Sequence, residues 1–387
     1  MAANNTIIAS ISRPDLLALP TPASASITHV QHLASYNWLD SPRSKPTIAI
    51  PGSPDLWTPP TASFTLKPDS GRFYIAQNAA RHPDSPLEPL FRALYIEQPE
   101  FDVTGVDVVT DRNNLRKLLG FVNKRWSRGG REDFTMHVEV RGKTAILQRQ
   151  ESKTMEFIPK GQIRGYGHGF ERKCMESRVK GSTGHHRIIG YRFGGLDFVV
   201  RHETDGYVGD NLSSVLDALS LSNSISKAEE SHPASRNSKL FLQKAGQAIP
   251  LSSTLEVKTR VAHKPLPFKN VVSQLWVSQT PNLVRAYHAN GAFAVPVVEN
   301  MTDQVKAWEE QNQDDLGMLA GLIGRIREVV REGGGRAVLK YDAKRDALMF
   351  EEVAGKMMLP GDLYGKWEGG RSEGESGGLD SEIAEKS

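Results

Sequence analysis

Glu256 and Lys258 stand two residues apart in Leu255-Glu256-Val257-Lys258-Thr259. On a strand this spacing puts a carboxylate and an ammonium side by side on one face, while Leu255 and Val257 turn to the core. A second carboxylate is available at Asp197, in the strand region 187–202, where Leu196, Phe198 and Val200 share one face and Asp197 lies on the other. Carboxylate oxygens suit Mg²⁺ or Mn²⁺, and a neighbouring lysine can polarise an attacking water or stabilise a crowded phosphorane. With charged residues at 24% of the chain, an Asp…Glu-x-Lys set is also what a solvated strand carries by chance. The surrounding sequence has to decide.

The elements that must position these residues are read from hydrophobic period. Leu115, Leu118, Leu119 and Val122 predict a helix over 111–123, and Phe134 to Val140 with Ala145 to Leu147 predict a hairpin. Phe268, Val271, Val272, Leu275 and Trp276 predict a helix over 268–280 that ends before Pro281. Asn290-Gly291 marks a hairpin between 283–288 and 292–298. A helix over 314–331 and a hairpin from 337–341 with 347–353 follow. No strand–helix repeat recurs, so the expected fold is α/β of the α+β kind, a mixed sheet in one domain rather than a barrel or a doubly wound sheet. The expected organisation is a flexible segment over 1–30, a domain over 31–360 and a disordered Gly/Ser/Glu-rich tail over 361–387. Prolines at 42, 46, 51, 54, 59 and 60 suggest an irregular arm wrapping the core. Residues 209–253, rich in Ser and Ala, read as an irregular insertion between the two acidic strands.

Several motifs occur around Glu256 in an order that resembles the DXO-type RNA decapping and 5′-end exonuclease family, as a divergent, fungal-type member. Thr110-Asp111-Arg112-Asn113-Asn114-Leu115-Arg116-Lys117-Leu118-Leu119 is similar to the family's threonine and arginine ahead of a Leu-x-Lys-Leu-Leu helix. Gly165-Tyr166-Gly167-His168-Gly169-Phe170-Glu171 resembles its Gly-Tyr-x-Phe-Glu element, with an altered middle. Glu256-Val257-Lys258-Thr259 resembles its Glu-Leu-Lys-Thr strand, and Gln274 its helical glutamine. The resemblance implies a PD-(D/E)XK nuclease-like fold and a two-metal Mg²⁺ or Mn²⁺ site held by Glu171, Asp197, Glu256 and the carbonyl of Val257. It places Glu256, Lys258 and Gln274 at the chemistry and Arg112 on substrate phosphate; independent of the resemblance, the basic run that follows offers Arg116 and Lys117 as further phosphate donors. The implied activity is phosphodiester or pyrophosphate hydrolysis at RNA 5′ ends, as decapping or 5′–3′ exonuclease action in nucleus or cytoplasm, beside a partner 5′–3′ exoribonuclease. The family's Gly-Glu-x-Asp element reads Gly194-Gly195-Leu196-Asp197 here, so one acid is missing at Gly195. Three readings stay open: the second metal is weakened, another group such as Glu203 replaces the acid, or the chain is a catalytically silent module that binds RNA or protein.

Bulk composition narrows the alternatives. The net charge of +3 is too small to announce a nucleic-acid protein, but residues 111–131 hold seven basic residues against Asp111 alone, with Trp126 as a possible stacking surface. Cys174 is the single cysteine, which excludes an intrachain disulfide and a multi-cysteine metal site and suggests a reducing, intracellular setting. No apolar run is long enough for a membrane helix. His185 and His186 point to opposite faces of a strand, so they and His168 read as packing or substrate contacts rather than metal ligands. Asp314-Asp315 lacks the DDxxD spacing, and no GxxxxGK[ST], GxSxG or GxGxxG motif occurs.

Overall fold

The computed structural model describes residues 6–127, 132–209, 230–353 and 355–368. Among the described residues, two large β-sheets, a two-stranded ribbon of Gly71–Tyr74 with Met155–Ile158, and covering helices form a mixed α/β fold. The larger sheet has twelve strands among the described residues. Its centre runs Phe134–Arg141, Thr144–Gln150, Val108–Asp111, Leu196–Thr204, Ser182–Phe193 and Ile27–Leu39. The second sheet is built on Thr254–Val261, parallel to Asn282–Ala289 on one side and antiparallel to the short Gly206–Tyr207 on the other.

Each long element buries the face its periodicity marks. Leu115, Leu118 and Leu119 from the Arg112–Val122 helix, Val272 and Trp276 from the Val272–Ser278 helix, and Leu316, Leu319 and Ile323 from the Gln313–Glu332 helix meet in one core. That core lies against Ile189, Tyr191, Phe198 and Val200 of the large sheet. A separate cluster of Phe170, Leu255, Val257, Val284 and Phe293 holds the second sheet to the Gly167–Cys174 helix.

The 187–202 region is two strands rather than one. Ser182–Phe193 and Leu196–Thr204 pair antiparallel, with Phe193 opposite Leu196 and Gly194-Gly195 forming the two-residue turn. Both glycines have positive φ, +57° and +84°, as a type I′ turn demands. A Cβ on Gly194 would also lie 2.3 Å from the Cβ of Ala320. Gly195 is thus a turn residue. The two acidic strands belong to different sheets: the chain leaves the large sheet after Thr204 and enters the second sheet at Gly206, opposite Leu255.

The expected termini and insertion need correction. Ile7–Ile11 pairs with Ala347–Glu352, and Leu16 is buried in the core, so the described part of the first thirty residues is integral to the fold. In the proline-rich region Thr47–Gly52 is a buried strand. Within 209–253, Phe241–Gly246 is a strand parallel to Thr47–Gly52; residues 210–229 lie outside the described residues. At the other end Leu363 and Tyr364 pack into the core with Trp367 against them, and 369–387 lie outside the described residues.

One buried ion pair fixes the start of the Arg112–Val122 helix. Arg201, 2% exposed, donates from Nε and Nη2 to both oxygens of Asp111 at 2.7 and 3.0 Å, and from Nη1 to the Tyr36 hydroxyl and the Pro86 carbonyl. Removing the carboxylate strands a guanidinium without a counter-ion. Asp111→Ala is therefore expected to cost about 3–5 kcal/mol in urea unfolding, and a loss below about 1 kcal/mol would show that Tyr36 and the carbonyl suffice.

Candidate active site at the junction of the two sheets

Glu256 is the hub of a polar cluster where the sheets meet. Its side chain is 2% exposed and is contacted by Lys258 from its own strand, Gln274 from the Val272–Ser278 helix, and Arg112 from the Arg112–Val122 helix at 3.2 Å. The strand alternation puts Glu256 and Lys258 in contact, while Leu255 and Val257 enter the apolar cluster below. On the β-edge at Val257 the Gly206–Tyr207 strand has already ended, since it covers only Leu255 and Thr254. The Val257 N–H donates instead to Asp205 Oδ2 at 2.7 Å, and its carbonyl accepts from Lys258 Nζ at 3.1 Å.

The remaining acids arrive from two elements. Asp205 occupies the crossing between the sheets, 3.9 Å from Lys258 Nζ, and Glu203 is the last residue but one of the strand before it. Glu171 lies on the Gly167–Cys174 helix, whose first N–H groups, at His168 and Gly169, are held by the Asp69 carboxylate at 3.1 and 2.8 Å. Phe170 anchors that helix in the apolar cluster, so the next residue, Glu171, is carried to the acidic group.

Electrostatics tie the four acids together. Burial, with Asp205 adding its charge, pushes the Glu171 carboxyl well above the usual carboxylate range despite Lys258. Burial and Glu256 push Asp205 up to about 7. Burial raises Glu203 too, against the pull of Arg112, although its side chain opens to solvent. For Glu256, burial is outweighed by Lys258 and Arg112, and its carboxyl is held down to about 2. Burial of Lys258 is likewise outweighed by Glu256 and Asp205, so the ammonium is reinforced. Four carboxyl groups thus meet two cations, Lys258 and Arg112, and once all four are ionised they leave an excess of negative charge that a divalent cation would balance. The donor set, all hard oxygen, fits Mg²⁺ or Mn²⁺. Among the described residues no three such side chains are already gathered into a metal cage, and Glu256 is bound to its cations instead.

The cluster bridges two cavities. Arg112 and Glu203 line one of about 100 Å³ with Gln77, Asn78, Asn113 and His186, and Lys258 lines another of about 550 Å³. A further cavity of about 1010 Å³ lies elsewhere, lined by Arg141, Lys239, Tyr364 and Trp367 among others, and contains none of these acids.

Residues 6–366 match the family described as Domain of unknown function (DUF8563). The chain belongs to that family. No curated protein matches it. Among solved structures this DUF8563 chain has the fold of S. pombe Rai1, at TM-score 0.53 and 11% identity, covering 89% of this chain and 99% of the other. Candida albicans Rai1 matches at TM-score 0.52 and 11% identity over 95% and 99% of the two chains. K. lactis Dxo1 matches at 0.51 and 7% over 89% and 98%. The DXO-like fold expected from the motifs is thus the fold observed.

Of the residues singled out by sequence, Glu171, Glu256, Val257, Lys258, Gln274 and Arg112 come together in this DUF8563 member. Arg116 lies one turn beyond Arg112 and donates to Ser273 Oγ, beside Gln274, at 3.3 Å. Lys117 turns away and is paired with Glu151 at 2.6 Å. Asp197 is not in the cluster. It is exposed, at the turn end of its strand opposite Arg192, and its backbone pairs with Asp107. Eight residues separate it from Asp205, a distance of about 25 Å along extended chain. The residues that reasoning from sequence passed over are Asp205 and, except as a substitute, Glu203. Their signal was the spacing Glu203-Thr204-Asp205, two residues apart like the element sought at 195–197.

The other candidates resolve into packing. His185 bonds Asn37 at 2.8 Å and His186 bonds Gln77 at 3.1 Å and stacks on Tyr36, each buried and held well below the usual imidazole range by that burial. His168 stacks on Phe73, ring centroids 3.7 Å apart. Trp126 is edge-on to Trp308, lies under the Arg125 guanidinium and donates to Asp315, so its ring is engaged within the fold. Asp315 itself serves that contact and Arg125. Arg128 and Arg131 lie outside the described residues.

Proposed function

We propose that this protein is a Mg²⁺- or Mn²⁺-dependent hydrolase of phosphodiester or pyrophosphate bonds at RNA 5′ ends, acting in decapping or 5′–3′ exonuclease mode. The observation that carries the reading is the convergence of Glu171, Glu203, Asp205 and Glu256 with Lys258, Gln274 and Arg112 in a fold shared with Rai1 and Dxo1. The Candida albicans Rai1 was solved with pU5 and Mn²⁺, the S. pombe protein with 3′-FADP, and the K. lactis Dxo1 with manganese. In this assignment Glu203-Thr204-Asp205 takes the place of the family's Glu-x-Asp, and Gly195 has no role in the site.

The metal would be held by Glu171, Glu203, Asp205, Glu256 and the Val257 carbonyl, and when bound it supplies an activated water and charge neutralisation at phosphate. The chain's own groups do the rest. Lys258, with its ammonium reinforced by Glu256 and Asp205, places positive charge beside the attacking oxygen and the developing phosphorane charge. Gln274 orients Glu256 through its amide, leaving its carbonyl oxygen to align water. Arg112, 3.2 Å from Glu256, holds the substrate phosphate against the carboxylates. The resemblance also carries a 5′–3′ exoribonuclease partner into this proposal, to be sought by co-purification.

The reading is tested with purified protein, Mn²⁺ and 5′-labelled RNAs bearing a monophosphate, a triphosphate, a methylguanosine cap or a nicotinamide cap. Release of the label's 5′ group or nucleotide, abolished by EDTA, is expected; inertness toward the whole panel would favour a silent binding module. Gly195→Glu is expected to leave that activity within about twofold, and to lower stability by about 1 kcal/mol through its left-handed backbone. A gain of activity would restore Gly195 to the site.

Metal binding must also displace the proton that burial and Glu256 keep on Asp205. A carboxyl raised to about 7 is charged only above that pH. Apparent Mn²⁺ affinity is therefore expected to fall by at least about tenfold per pH unit below 7, with the raised Glu171 carboxyl steepening the fall. Calorimetric titration across that range checks it, and an affinity indifferent to pH would contradict the protonated Asp205.

A further inference from the structure

The row of side chains that carries Glu256 and Lys258 continues outward. Arg260 is two residues beyond Lys258 on the Thr254–Val261 strand, so Glu256, Lys258 and Arg260 project from one face at steps of about 7 Å. Beyond Lys258 the surface hollows into the cavity of about 550 Å³. Its walls bring Lys124 and Arg125 from the turn after the Arg112–Val122 helix and Lys269 from the turn before the Val272–Ser278 helix. Among the described residues five cations line this groove, with no acidic side chain beside them in the lining.

The cations are not equivalent. Lys258 is bound to Glu256, and Arg125 to Asp315 at 2.6 Å. The side chains of Lys124, Arg260 and Lys269 are exposed and have no ion pair or hydrogen bond to any described residue. On the Arg112 side the arrangement is the reverse: Arg112, Arg149 and Arg201 are paired with Glu256, Glu151 and Asp111, and the uncharged lining is amide-rich at Gln77, Asn78 and Asn113. Three uncompensated cations converging on one groove repel each other, and the groove continues directly into the cluster through Lys258. A polyanion laid along it relieves that repulsion. Among the described residues no aromatic ring lines it, so contacts there fall on backbone phosphates.

We propose that Lys124, Arg260 and Lys269 form a binding track for the phosphodiester backbone of single-stranded nucleic acid leading away from the scissile bond. The terminal group faces the small Arg112 cavity in this arrangement. This inference rests on the hydrolase reading for its direction, but the track binds whether or not the cluster hydrolyses. It is sequence-tolerant, and it makes affinity depend on chain length until the three phosphate positions are filled.

Fluorescence anisotropy with labelled oligouridylates of two to ten nucleotides, in EDTA so that nothing is cleaved, tests it on the full chain. Wild-type affinity is expected to rise with length over the first four or five nucleotides and then level off, with oligothymidylate behaving alike. The triple variant Lys124→Gln/Arg260→Gln/Lys269→Gln is expected to weaken the longer oligomers by about 10- to 100-fold and to reduce the slope of log affinity against log salt by about 2, since single strands lose about 0.7 per phosphate contact. Dinucleotide binding should be unchanged. A control triple at the exposed Lys180, Lys344 and Lys366 changes net charge equally and should bind as wild type. Unchanged long-oligomer affinity and salt slope in the groove variant, or an equal loss in the control, would overturn the track. Polyglutamate competing as well as oligouridylate would overturn it too. Protein that binds in this way but cleaves no RNA removes the hydrolase reading and leaves the track standing; cleavage with an unaltered groove variant does the opposite.

Discussion

Asp205→Asn is expected to lower Mn²⁺-dependent hydrolysis of 5′-labelled RNA by at least about 100-fold, while Asp197→Asn leaves it within about twofold. The contrast follows from where the strand puts each group. Asp205 sits at the crossing between sheets, receives the Val257 N–H at 2.7 Å and lies 3.9 Å from Lys258, whereas Asp197 is exposed at the far end of the Leu196–Thr204 strand. Replacing a carboxylate by an amide keeps the shape and the acceptor for Val257 but removes the charge that a divalent ion requires. Glu203→Gln should fall with Asp205→Asn. If Asp197→Asn were the damaging change, the site would have to be rebuilt around the Gly194-Gly195 turn.

Glu256→Gln is expected to have the largest effect, a loss of about 1,000-fold or more in turnover, with binding of the same RNA in EDTA weakened by less than about threefold. Glu256 is the one acid contacted by Lys258, Arg112 and Gln274 together, so its charge positions three groups at once. With glutamine there the lysine loses its partner and Arg112 loses its anchor, but both cations remain for phosphate. Single-turnover assays separate the two effects. A variant that loses binding and turnover in parallel would mark Glu256 as a structural residue, and circular dichroism with urea unfolding would show the accompanying loss of fold.

The parts of the site that were legible in the sequence are those set by local period. Alternation along 255–259 fixed which side chains face outward, and the helical stripes at 111–123 and 268–280 placed Arg112 and Gln274 on the polar sides of elements that pack against one core. Asp205 and Glu203 were hidden because the strand that carries them leaves one sheet and enters another between Thr204 and Gly206, a long-range pairing with Leu255 that no local pattern reports. The glycine pair at 194–195 marked a hairpin turn, and reading it as part of an acidic motif displaced the site by eight residues. Two outlying strands were missed for a related reason: Ile7–Ile11 and Phe241–Gly246 gain stability from partners far away in the chain, Ala347–Glu352 and Thr47–Gly52, in segments whose composition suggests loops. Lys117 shares its helix with Arg112, yet a distant partner, Glu151, decides where it points.

Whether these four carboxylates form one divalent-metal site is measured directly by Mn²⁺ titration followed by the electron paramagnetic resonance of the free ion. At about pH 8 the wild-type chain is expected to take up Mn²⁺ stoichiometrically, Glu171→Gln and Asp205→Asn to lose that uptake, and Asp197→Asn to retain it. A wild-type chain that leaves the free-ion signal unchanged, or an uptake that survives both site substitutions and disappears with Asp197, would contradict the account.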